Sequence, residues 1–102
     1  MTDFTLYLSS TNLVQLSNLV DVTTGLPVTT AVVTVTFKDA QGNVVTGASG
    51  ITMPYDATSR SYRGTLPSTI TWVAGATYTE IVTTTVGSIV RVFTRTGVAA
   101  NG

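Results

Sequence analysis

Apolar and polar residues alternate with a period of two over much of the chain, the spacing of strands that bury one face. Phe4, Leu6 and Leu8 alternate with Thr5 and Tyr7. Residues 12–22 admit two readings: Leu13, Leu16 and Leu19/Val20 have helical spacing, while Val14, Leu16, Val20 and Val22 fit a strand. The β-branched end and the lack of a capping box or acidic first turn favour the strand. Residues 23–27 follow as a turn, with Gly25 free to take positive φ and Pro27 confined to an edge or a strand start. The clearest strand is Val32–Lys38, with Val33, Val35 and Phe37 on one side and Thr34, Thr36 and Lys38 on the other. Residues 39–43, Asp-Ala-Gln-Gly-Asn, have the length and glycine of a hairpin loop leading into Val44 and Val45. Further strand-like runs lie at 51–55, 62–66, 70–73, 77–84 and 89–96, separated by loops containing Gly, Pro or Ser.

Composition points the same way. The 22 Thr and 15 Val are stiff at the first side-chain torsion and suit a pleated strand. Seven to nine short strands with frequent turns predict an all-β chain folded as a two-sheet antiparallel sandwich. A length of 102 residues suits one domain spanning 1–102, with 97–102 expected as a flexible end.

Charge narrows the function classes. Five Lys plus Arg balance five Asp plus Glu, and charged residues make up 10% against the roughly 25% usual in soluble domains. The basic residues are scattered, so neither nucleic acid nor an anionic membrane is an expected partner. With 43% hydrophobic residues and a mean hydropathy of +0.37, some surface is expected to be covered. The chain has no His and no Cys, which removes zinc fingers, Ser-His-Asp and Cys-His nucleophile systems and disulfide frameworks. No enzymatic activity, cofactor, metal or small-molecule substrate is expected. Apolar stretches fall well short of the roughly 18 residues of a spanning helix. The start, Met-Thr-Asp-Phe-Thr-Leu-Tyr-Leu, lacks the basic and long apolar regions of a signal peptide and reads as that of a chain made in the cytoplasm, the alternative being a removed leader with Met1 added for expression.

Four places invite a chemical reading. Asp39 to Asn43 offers one carboxylate and two amides, far from the six to eight oxygens that calcium needs, and reads better as a hairpin. Asp56 with Arg60 and Arg63 suggests a recognition loop, but an Asx turn with a surface ion pair accounts for the same residues. Glu80 is the only Glu, which argues against a glycosidase carboxylate pair. Trp72 near several tyrosines suggests sugar stacking, against the commoner role of a partly buried Trp beside a turn.

The final hairpin is the most informative. A turn centred on Val86-Gly87 pairs Thr84 with Ile89, Val82 with Arg91, Glu80 with Phe93 and Tyr78 with Arg95, all on one face. The other face holds Thr79, Ile81, Thr83, Val90, Val92 and Thr94, is uncharged, and is therefore expected to be the core side. Tyr78, Glu80, Val82, Ile89, Arg91, Phe93 and Arg95 then form an exposed apolar patch rimmed by charge, as a protein interface requires. A register slip or bulge would instead return Tyr78 and Phe93 to the core.

Val20-Asp21-Val22, Gly25-Leu26-Pro27-Val28, Ala31 to Val35 and Asp39 to Gly42 resemble the opening half of bacterial immunoglobulin-like and carboxypeptidase-regulatory-like sandwich domains. Tyr62 to Leu66 followed by Ala74 to Tyr78 resembles their second half, so the likeness covers roughly residues 13–96. The Cys pair and core Trp position of antibody domains are lacking. The resemblance implies an Ig-like sandwich of the kind that recurs in tailed-bacteriophage virions, made in the host cytoplasm. Its implied role is non-enzymatic: capsid decoration, or joining at head, neck or tail, through contacts with other virion proteins or copies of itself. The alternative is an Ig-like module of a secreted adhesin or polysaccharide-binding surface protein.

Overall fold

The structure, a computed structural model, describes residues 4–17, 19, 24–26 and 28–101. They contain eight strands and no helix. These are β1 (Phe4–Tyr7), β2 (Asn12–Ser17), β3 (Val32–Lys38), β4 (Ile51–Thr52), β5 (Tyr55–Asp56), β6 (Ser61–Leu66), β7 (Thr77–Val86) and β8 (Ile89–Ala100). A curled five-stranded sheet has the order β1-β8-β7-β3-β4, and a three-stranded sheet the order β2-β6-β5. All pairings are antiparallel except that of β1 with β8, so the expectation of wholly antiparallel sheets needs that correction.

Strand alternation builds the core. Val33, Val35 and Phe37 of β3 are buried, as their spacing predicts, and stand opposite Thr84, Val82 and Glu80 of β7. Val14 of β2 and Tyr62 and Leu66 of β6 contribute from the smaller sheet to the same apolar cluster. An aromatic row runs through it, Phe4 to Phe37 to Trp72 to Tyr78, with ring centroids 5.8, 5.5 and 5.0 Å apart in edge-to-face geometry. Such pairs add about 0.5–1.5 kcal/mol each beyond the area they bury. Between the first two strands, Asn12 copies a strand neighbour: its Oδ1 accepts from the Tyr7 amide at 2.9 Å and its Nδ2 donates to the Tyr7 carbonyl at 3.1 Å.

Several sequence expectations change. Residues 51–55 are not one strand: β4 pairs with β3 and β5 with β6, and the chain changes sheet at Met53-Pro54, where proline cannot extend a ladder. Residues 70–73 form no strand, although Ile70 and Trp72 are buried and mimic its alternation. Val44 makes only an isolated bridge to Lys38, and Val45 lies outside any strand. For residues 12–22 the strand reading holds over Asn12–Ser17, while 18 and 20–22 lie outside the described residues, as do Thr23 and Pro27 of the turn.

The expected flexible end at 97–102 is corrected over residues 97–100, and Gly102 lies outside the described residues. Residues 97–100 belong to β8 and pair with Phe4, Thr5, Leu6 and Tyr7. Gly97 makes this possible, because a Cβ there would lie 2.2 Å from Cδ1 of Phe4, whose ring covers the backbone. Ala99 is buried in the core at 1% exposure.

Candidate protein-contact surface

The β7–β8 hairpin carries all seven residues singled out in the sequence. Its ladder pairs Val86 with Ile89, Thr84 with Arg91, Val82 with Phe93, Glu80 with Arg95 and Tyr78 with Gly97. This register is displaced by two residues from the expected one, because the loop is the two-residue Gly87-Ser88. Gly87 takes φ +60°, as a glycine-first hairpin turn requires. A shift of two preserves side-chain parity, so Tyr78, Glu80, Val82, Ile89, Arg91, Phe93 and Arg95 still share a face.

That face is the inward one, and the expected sidedness is reversed. Tyr78, Glu80, Val82 and Thr84 are buried, whereas Thr79, Ile81 and Thr83 on the uncharged face are half-buried. An uncharged face looks like a core face only if inward charges lack partners, and here they have them. The Glu80 side chain is 3% exposed, and its Oε1 accepts from Nε of Arg95 at 2.9 Å and from Nη2 at 2.7 Å. The Tyr78 hydroxyl accepts from the Val73 amide at 2.8 Å. Burial pushes the Glu80 carboxyl above its ordinary range, and the Arg95 hydrogen bonds and charge oppose this without cancelling it. Arg95 also lies 5.8 Å from the centre of the Phe4 ring, a cation–π contact that helps to hold the guanidinium in place.

Burial fades along the hairpin towards its turn. Ile89 is 61% exposed and Phe93 40%, although both share the inward face with Glu80. The smaller sheet does not cover them. Beside them Gln15, Leu16 and Ser17 of β2 face Glu80, Val82, Phe93, Thr94 and Arg95 across an open groove of about 550 Å³. On the opposite face Val90 and Val92, expected in the core, are each 58% exposed. The distal half of β8 is thus apolar on both faces. The signal was present in the sequence: Ile89-Val90 and Val92-Phe93 are adjacent apolar pairs, and a strand buried on one face can hide only one member of each.

The other candidate sites resolve into local structure. Asp39 Oδ1 accepts from the amides of Gln41 and Asn43 at 3.0 and 2.9 Å, holding the hairpin loop closed. Asp56 accepts from the Thr58 amide, the Ser59 hydroxyl and Arg63 at 3.1, 2.9 and 3.3 Å, an Asx turn with an ion pair. Those bonds hold its carboxyl below the usual range, the Ser59 hydroxyl first among them. Trp72 is buried at 4% exposure, so its ring is not open to a sugar. In comparisons with known proteins, the chain matches no family model, no curated protein and no solved structure.

Proposed function

We propose that the chain is an Ig-like sandwich serving as a non-enzymatic structural protein of a tailed-bacteriophage virion. It acts through protein contacts, as a capsid decoration or a joining component of head, neck or tail. The strand pairing supports the Ig-like part. With β2, β3, β5, β6, β7 and β8 read as strands B, C, D, E, F and G, the B-E-D and C-F-G groupings of immunoglobulin domains are reproduced. The first strand departs from that plan by joining β8 instead of β2.

The observation that carries the contact role is the distal hairpin, where Ile89, Val90, Val92 and Phe93 present apolar surface on both faces. Continuous apolar surface of this kind is stable in water only at modest size, and rimming by Arg91 and Arg95 suits a protein partner. The absence of His and Cys from the whole sequence supports binding over catalysis. Partners on this reading are other virion proteins or copies of the chain, and the site of synthesis is the host cytoplasm.

The test is fractionation of virions from the source organism, probed with an antibody to this chain. Co-purification with intact particles and gold label at a fixed position on them is the expected result. Recovery only with the cell envelope would overturn the virion role in favour of an adhesin module.

A further inference from the structure

We infer that the outer edge of β8 pairs with β8 of a second copy, antiparallel, about a two-fold axis passing beside Val92. The inference rests on reading this hairpin as a contact surface, and it names the occupant.

The first premise is an open edge. β1 pairs only with residues 97–100, so among the described residues nothing pairs with the outer edge of β8 from Ile89 to Thr96. Backbone direction shows which residues present their polar groups there. Ala99 bonds away from β1, donating to the Ala76 carbonyl at 3.1 Å and accepting from the Gly75 amide at 2.8 Å. Ala100 faces the other way and accepts from the Leu8 amide at 3.0 Å. Alternation back along the strand turns the N–H and C=O of Val90, Val92 and Thr94 outward. An exposed row of this kind, flanked by apolar side chains on both faces, is a template for an added strand.

The second premise is charge, which selects a second copy and its register. In a two-fold antiparallel pair one residue faces itself and its neighbours pair symmetrically about it. Full use of the open stretch requires a centre at 92 or 93. A centre at Phe93 sets Arg91 opposite Arg95 of the second copy, twice, and a centre at Arg91 sets that residue against itself; like charges directly opposite are destabilising. A centre at Thr94 runs the second copy into β1. With Val92 at the centre, the outward N–H and C=O of Val92 bond to their own counterparts and Val90 pairs with Thr94. Arg91 then stands opposite Phe93 of the second copy, a cation–π match made twice. The arginines that would frustrate other registers are accommodated in this one.

The experiment is light scattering of the full chain over a hundredfold dilution, combined with single-cysteine crosslinking, which a cysteine-free chain permits without further changes. The expected result is a dimer that V92P weakens at least about tenfold, since proline removes an outward N–H and spares the β7–β8 ladder. Under mild oxidation V92C should crosslink faster than R91C or F93C, because facing Cα atoms in such a pair lie about 5.5 Å apart, within disulfide reach. V92C reads the register even if V92P fails to fold. A monomer at every concentration, a dimer indifferent to a folded V92P, or faster crosslinking of R91C or F93C would overturn the inference. A chain found in virions yet monomeric in solution would overturn this pairing alone, whereas a dimer crosslinked through V92C but found only in envelopes would overturn the virion role alone.

Discussion

Two residues are held in unusual settings, and each makes a separate prediction. Gly97 lies beneath the Phe4 ring with no room for a Cβ. We expect G97A to lower the unfolding free energy by about 1–3 kcal/mol, the usual cost of overpacking, measured by urea denaturation. Truncating the ring as well, in F4A/G97A, should remove the clash, so the two changes should be non-additive. Glu80 is a buried carboxyl whose folded-state value lies above its ordinary 4.5. As pH falls through that raised value towards 4.5, the folded chain takes up a proton before the unfolded chain does, and stability rises on that account. Wild type should therefore gain stability relative to E80Q on acidification through this window, and gain no more below it. Parallel curves for the two proteins would mean that Arg95 already offsets the burial. Asp56 works with the opposite sign, its contribution being lost as pH falls through its lowered value, so the comparison with E80Q is needed to isolate Glu80.

At the scale of elements, the Tyr62 hydroxyl ties the smaller sheet to the approach to β3. Tyr62 Oη donates to the Val28 carbonyl at 2.7 Å and accepts from the Ala31 amide at 3.1 Å. We expect Y62F to cost about 1–3 kcal/mol through loss of these bonds from a part-buried site, and to speed hydrogen exchange at the Ala31 amide. Unchanged exchange at Ala31 would show that the approach to β3 is held by other contacts. The stretch 70–73 makes the complementary point. Ile70 and Trp72 insert into the core from an irregular segment, so alternating burial does not require a ladder.

At the scale of the molecule, the two sheets differ in extent, and the longer hairpin is left partly uncovered. Phe93 is the largest exposed apolar residue on that hairpin, and F93R should leave the chain folded while weakening its association. Circular dichroism and light scattering of the same sample measure both properties. Loss of folding would instead place Phe93 among the core residues that hold the sheets together.

Local patterns made the strands legible. The alternation in Val32–Lys38 identified its buried face, and the scarcity of charge together with the absence of His and Cys directed attention to contact surfaces rather than catalysis. The seven residues of the final hairpin were grouped on one face because parity depends only on sequence separation and survives a two-residue shift. Which face turned inward was decided by tertiary structure. Glu80 is tolerated in the interior because Arg95 stands opposite it in the ladder, and that pairing exists only once Gly87-Ser88 has set the register. The fate of residues 97–100 was likewise non-local, since Phe4 and Gly97 are 93 positions apart and meet only when β1 lies parallel to β8. The adjacent pairs Ile89-Val90 and Val92-Phe93 show that one member of each must stay exposed, but the exposure of Ile89 and Phe93 on the inward face as well depends on where the smaller sheet ends, which no pattern within β8 encodes.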